Sequence, residues 1–464
     1  MHKETARLTR WHDEERTKDG ALRHPADSDV WKAIDTQYPD FALDSRNMRF
    51  AIASDGFNPF GKCNSTHSCW PVVLVPYNFP PWLCMKASSL MLTLIIPGYP
   101  RKDFHTFMQP VYDDLNELFE YGMPTYDAYR DEVFQLHVVL LYTVSDYPGA
   151  GILAQFSTNS QLGCLSCEEE TSYKRLKYKQ CYMGHRRFLP DGHEFRYDAD
   201  SFDGTKEHRS KLVPCSGEAI LEKIKSIRDF EKSKTWKGAG GLFCLSYWKY
   251  NLLWHNLDFM HIEKNVCENT YGTLLEMEGK SKDNLQARKD LQEMNIRPDL
   301  HPQKRANDKY YLPPTLYNMS KEEKQQFCKV LHDIKVPDGY SSNISRCVNV
   351  AQAKITGLKS HDCHILMQQL MPVALRGLLP DDVTSVLFDL CGYFRELNAK
   401  VLYKDELEKL EDRIVMTLCR MEMIFPPGFF TMMVHLVLHL ALEAKIGGPV
   451  CYRSMYFVER YSFL

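Results

Sequence analysis

The sequence predicts an α/β chain in which a mixed sheet comes first, a Cys- and His-rich insertion follows, and a helical C-terminal region completes the fold. Three observations carry that expectation. Short apolar runs punctuated by Pro, Gly and Asn fill residues 46–160. Residues 161–360 turn polar and rich in Cys, His, Lys and Tyr. Beyond His361, apolar residues recur at helical spacing almost to the last residue.

In chain order, residues 1–45 are charged and weakly periodic, as if cut from a longer protein. Residues 48–54, 72–77 and 90–96 then read as three strands. Phe107, Met108, Val111, Leu115, Leu118 and Phe119 form a helical stripe closed by Gly122. Residues 133–144 read as a fourth strand ending on Ser145 and Asp146. A flexible break is expected at 237–241, Lys-Gly-Ala-Gly-Gly. Helices are expected over 362–379, 381–400, 405–424 and 429–445, separated by Pro, Tyr-Lys and Pro-Pro.

With 464 residues, 44% hydrophobic and 25% charged, the chain is long enough for two or three domains with a real core. A net charge of -3 and a pI near 6.6 provide no global basic field, so nucleic-acid contact has to come from local patches. Fifteen cysteines, an odd count without a signal-peptide pattern, point to reduced thiols in an intracellular compartment. The longest apolar run, 431–444, contains two histidines and is too short to span a bilayer, so no membrane contact is expected.

Two of the four strands finish on an aspartate, Asp55 and Asp146. An aspartate before glycine is ordinarily a turn residue. The joint occurrence is more informative, because strand-strand-strand-helix-strand is the order of an RNase H-like mixed sheet, in which strands one and four are neighbours. Carboxylates at those two ends would lie side by side. A two-metal phosphoryl-transfer site needs such convergence.

Cys164 and Cys167 have zinc-knuckle spacing, and Cys181 and His185 complete a local CxxC-x13-CxxxH set of the donor type zinc prefers. The alternative closure uses His435 and His439, which at i and i+4 share one helix face. Closing the long loop to His435 rather than the short one to Cys181 costs roughly 2–3 kcal/mol more. Structural zinc contributes about 10–16 kcal/mol, so the loop does not decide between them. Around this segment, Lys174, Arg175, Lys177, Lys179, Arg186 and Arg187 interleave with tyrosines and no acid, a composition suited to phosphate contact and base stacking or to a solvated charge run.

The segments MRFAIASDGFNPFG, WPVVLVPYNFPPWLCMK, LIIPG, YTVSDYPGAG, CYMGHRRFLP, HNLDFMHIEKNVCENTYGTLL, SNISRC and GLKSHDCHILMQQLMPVALRGLLP together resemble the DNA transposases of plant CACTA (En/Spm-type) elements. That family is grouped with the V(D)J recombinase and Transib relatives. The resemblance implies an aspartate, aspartate, CxxC, histidine-pair, glutamate pattern, which falls on Asp55, Asp146, Cys164 with Cys167, His435 with His439, and Glu459. It further implies two catalytic magnesium ions, a structural zinc, and DNA cleavage and strand transfer at transposon ends and target. A nuclear location, a homo-oligomer during reaction and a second element-encoded DNA-binding protein also follow from it. Glu459 lies so near Leu464 that its helix has little room to form, which leaves Asp258 and Glu263 as alternative third acids. The second functional expectation is an inactive, truncated relative that persists as a zinc- and DNA-binding or interaction protein.

Overall fold

The computed structural model describes residues 2–58, 68–100, 103–177, 180–306, 308–336 and 343–461. Met48–Ser54 forms strand β1, with all seven residues buried, as expected of a run with no turn former. Its one charged residue, Arg49, donates to Asp35 Oδ1 at 2.5 Å and lies over the rings of Trp31 and Phe41. β2 (Cys69–Pro76) pairs antiparallel with β1, and β3 (Met91–Pro97) pairs antiparallel with β2 as an exposed edge.

The helix Phe104–Glu120 follows, burying Phe104, Met108, Tyr112 and Leu115. Burial of such side chains stabilises the fold by about 1.5–3 kcal/mol each. Gly122 closes the helix as expected: it sits at φ +68°, and its N–H bonds Glu117 O at 3.1 Å.

The expected fourth strand over 133–144 is in fact two. β4 (Met123–Asp127) and β5 (Glu132–Leu136) make a separate hairpin, and β6 (Val138–Val144) enters the main sheet. His137 makes the break. Its N–H donates to Asn47 Oδ1 at 2.8 Å and its Nδ1 lies 2.9 Å from Phe119 O, while its carbonyl accepts the Met48 N–H at 2.9 Å, so its amide side is diverted and only its carbonyl meets β1. The main sheet has the order β3-β2-β1-β6, with β6 parallel to β1 and entirely buried.

The C-terminal region is helical as expected, with Asp381–Leu397, Lys404–Ile424 and Met432–Gly447 packed in succession. The single helix expected over 362–379 is divided into Ser360–Ile365, a π turn at Leu366–Leu370, and Met371–Ala374. Pro372 accounts for this, since it brings no N–H to the ladder and crowds the preceding turn. The stretch before β1 is better ordered than its weak periodicity suggests. The helix Asp29–Gln37 buries Val30, Trp31 and Ile34 against Met432–Gly447. Within 161–360, the helix Phe259–Leu274 is buried over most of its surface and packs on both Ser360–Ile365 and Met432–Gly447. The chain is thus a mixed α/β protein with a mixed sheet and a helical C-terminal region.

Candidate metal centre and acidic site

The β1–β6 register pairs Ala53 with Val144, so Asp55 and Asp146, each two residues further on, leave neighbouring parallel strands at the same end. Both also serve locally. Asp55 Oδ1 accepts the Gly56 N–H at 2.7 Å. Asp146 caps the helix Tyr147–Ala154, its Oδ1 accepting the Gly149 N–H at 2.7 Å. Turn duty does not exhaust them: burial and the nearby charge of Asp146 push the Asp55 carboxyl up to about 7. Burial, with Asp258 and Glu459 nearby, raises Asp146 as well.

Asp258 and Glu459 come to the same place from other elements. Asp258 caps the helix Phe259–Leu274, accepting from the Met260 and His261 N–H groups at 3.3 Å and from Met455 N–H at 2.9 Å. Glu459 rides on the helix Tyr456–Tyr461, which forms despite its shortness. Between the two sits His261, hydrogen-bonded through Nδ1 to Asp258 and lying 3.2 Å through Nε2 from Glu459 Oε1. Burial opposes its charge, but these two carboxylates hold the imidazolium up to about 10. Glu459 also overcomes burial and stays below its ordinary value through His261 and Lys264.

Glu263, the other candidate third acid, is elsewhere. Two residues beyond His261 is the opposite helix face. There the carboxylate is fully buried, 2.8 Å from His364 Nδ1 and 2.7 Å from Gln368 Nε2. It is not solvated, and its hydrogen-bond partners are His364 and Gln368. His261 was absent from the expected site, although its i+3 spacing from the Asp258 cap was a usable signal.

The cysteine pair finds its partners across the whole chain. The ligand atoms of Cys164, Cys167, His435 and His439 lie within 4.8 Å of one another, all four residues buried. Cys164 Sγ is 3.4 Å from His439 Nε2, Cys167 Sγ 3.4 Å from His435 Nε2, and the two Nε2 atoms 3.4 Å apart. Tetrahedral zinc with its usual bond lengths requires S···N near ~3.5 Å and N···N near ~3.3 Å. The group therefore fits such an ion. The two thiols share one proton unequally: burial would raise Cys164, yet Cys167 and the two imidazoles hold it well below the usual range, while Cys164 and burial push Cys167 up.

Cys181 and His185 lie outside that group. Cys181 is buried with Sγ 3.6 Å from Lys174 O. His185 bonds through Nδ1 to Glu422, which also accepts the Gly184 and His185 N–H groups at 2.8 and 3.1 Å. A carboxylate on the helix Lys404–Ile424 thus captures the imidazole that the local spacing assigned to metal. The expected DNA-contact set divides similarly. Arg186 is buried, donating to Phe195 O, Asp198 O, Asp203 Oδ1 and Thr205 O. Arg187 donates to Ser210 O and Glu170 O. Neither guanidinium faces solvent. Lys174 is half-buried beside Asp203, Arg175 and Lys177 are exposed, and Lys179 lies outside the described residues.

A buried polar chain joins the two clusters. Glu443, one turn beyond His439, accepts the Leu257 N–H at 3.0 Å and lies 3.7 Å from Arg453. Arg453 donates to Asn256 Oδ1, and Asn256 Nδ2 returns a bond to Arg453 O at 2.6 Å. Asn256 is two residues from Asp258.

These clusters define a mixed α/β protein with a buried Cys2His2 group able to hold a metal such as zinc, beside a strand-end acid group. Residues 19–227 match a family model described as transposase family tnp2, and residues 397–464 match a domain of unknown function, DUF4218. No curated protein matches the chain. The matches support a transposase. Each cluster draws on both matched segments: Asp55, Asp146, Cys164 and Cys167 fall in the first, His435, His439 and Glu459 in the second. A transposase acts on DNA, and among the described residues no helix is long and apolar enough to cross a membrane.

Proposed function

We propose that this chain is the catalytic region of a CACTA-type DNA transposase, with an RNase H-like core that cuts and rejoins transposon ends. The observation that carries the reading is the pair of aspartates at adjacent ends of parallel strands β1 and β6 in a sheet of order β3-β2-β1-β6. Asp55, Asp146 and Glu459 serve as oxygen donors for magnesium, a hard cation that favours carboxylates. Magnesium bound there would activate water or a DNA 3′-hydroxyl and stabilise the leaving oxygen. The chain's own part is to hold the acids at one end of a rigid sheet. Burial first, and then the charge of Asp146, raise Asp55, and a cation bound there would favour its ionised form. The Cys2His2 group holds zinc and fixes Cys164 to the last long helix. The protein works in the nucleus as an oligomer on paired ends, with a second DNA-binding protein of the same element as partner.

The test is magnesium-dependent nicking of transposon-end DNA. Asp55→Asn and Asp146→Asn are expected to lower it by about 10³-fold or more while zinc content stays unchanged. Equal nicking by Asp55→Ala ends this assignment. One observation favours the second reading, an inactive DNA-binding relative: His261 already neutralises Asp258 and Glu459. Tight DNA binding with no metal-dependent cleavage by the parent chain would establish it.

A further inference from the structure

Of the basic residues expected to meet DNA, Arg186 and Arg187 are turned inward, and a different basic segment is tied to the acid-bearing helix. Asp146 begins the helix Tyr147–Ala154, after which Gln155 turns the chain at φ +52°. Phe156 then pairs with Trp236 in an antiparallel bridge. Ser157 N–H bonds Thr235 O at 2.7 Å and Lys237 N–H bonds Gln155 O at 2.7 Å. Trp236 is buried edge-on against Phe156. The segment 228–237 is therefore stapled to the element that carries Asp146. It holds four basic residues, Arg228, Lys232, Lys234 and Lys237, against two acids, and all four basic residues are exposed.

Between this strap and the helix runs a groove of about 430 Å³, whose walls include Tyr99, Pro148, Gly151, Phe156, Phe230 and Lys237. Pro148 and Gly151 stand two and five residues past Asp146, about 3–8 Å along the helix axis. That is one to two steps of a DNA strand at about 3.4 Å each. Its charged lining is Lys237 with Glu231, while Arg228 and Lys234 line a second cleft bordered by the same strap. Aromatic walls with basic residues along the strap suit one base and its flanking phosphates.

We propose that the 228–237 strap and its groove receive the DNA strand entering the acid site, with Arg228, Lys234 and Lys237 on phosphates and Tyr99 and Phe230 stacking on one unstacked base. This rests on the reading of the Asp55–Asp146 end as the place where DNA is cut.

The test uses the full chain, with calcium replacing magnesium so that binding is read apart from cleavage. A short mixed-sequence DNA strand carrying a fluorescent base analogue is the probe. The Arg228→Glu/Lys234→Glu/Lys237→Glu variant is expected to bind at least about tenfold more weakly and to flatten the salt dependence by about 2 in log–log slope. Tyr99→Ala and Phe230→Ala should each weaken binding about tenfold and reduce the analogue's unstacking signal, with the phosphate-dependent slope retained. Unchanged zinc content and melting temperature identify folded variants. Parental affinity and slope in the triple variant overturn the proposal. So does transfer of the loss to Lys174→Glu/Arg175→Glu/Lys177→Glu. If the strap variants lose DNA while Asp55→Asn still cuts, the acid assignment fails and the strap stands.

Discussion

The Cys2His2 group and the acid group sit at two ends of one buried polar chain, and they handle concentrated polarity in opposite ways. Cys164, Cys167, His435 and His439 are all sealed from solvent, and their four donor atoms converge on one point. Asp55 and Asp146 are half-buried, and the Glu459 side chain is 39% exposed. The acid group keeps a door to solvent and holds a cation of its own, the His261 imidazolium. Sealed, convergent soft donors suit an ion that stays; open, mutually repelling hard donors suit ions and a substrate that come and go. On the proposed reading, a structural and a reactive end are thereby separated within one network.

Removing the sealed site should have the largest effect. Structural zinc contributes about 10–16 kcal/mol in small domains, comparable with the whole stability of most domains. Cys164→Ser and His439→Ala are expected to abolish stoichiometric zinc and the cooperative melting transition, as read by metal analysis and calorimetry. Cys181→Ser and His185→Ala should retain one zinc per chain. Loss of zinc in the latter pair alone would return the site to the local CxxC-x13-CxxxH set.

The next effect sharpens the acid group by comparing two glutamates. Glu263→Ala strands His364 and Gln368 in the core and should cost ~3 kcal/mol in urea denaturation, leaving magnesium-dependent nicking of the folded fraction intact. Glu459→Ala, on the partly open side, should do the reverse. A loss of nicking in the Glu263 variant without destabilisation would exchange their roles.

What the sequence revealed and what it hid follow from how local each signal is. Asp55 and Asp146 were legible because each ends a run whose pattern lies within seven residues. Cys164 and Cys167 were legible for the same reason. Their partners were not decided, because His435 and His185 differ only in which distant surface each meets, and Glu422 settles that from another helix. Arg186 and Arg187 read as a surface patch, since a charge run looks the same whether it is solvated or bonded to buried carbonyls. The break at His137 depends on Asn47, far away in sequence, and no window around 133–144 contains it.

The smallest expected effect tests the crowding that distinguishes the acid group. The Asp55 carboxyl holds its proton up to about pH 7 in the fold, against 3.8 ordinarily. A proton bound more tightly in the folded state contributes stability below pH ~4, and that contribution is lost as pH rises toward 7. Allowing for its partial exposure, the loss is ~2 kcal/mol. Asp55→Asn stays neutral at every pH, so it should melt ~2–4 °C above the parent at pH 8 and level with it at pH 4. Glu443, also pushed up to about 7 by burial, is common to both proteins and cancels in the difference. His261, held up to about 10, stays protonated across this range. Magnesium at pH 8 should then raise the parent toward the variant, because the parent alone carries the Asp55 charge beside Asp146. A melting difference that is the same at pH 4 and pH 8, and indifferent to magnesium, would mean that Asp55 is a turn residue after all and that the acid group is no cation site.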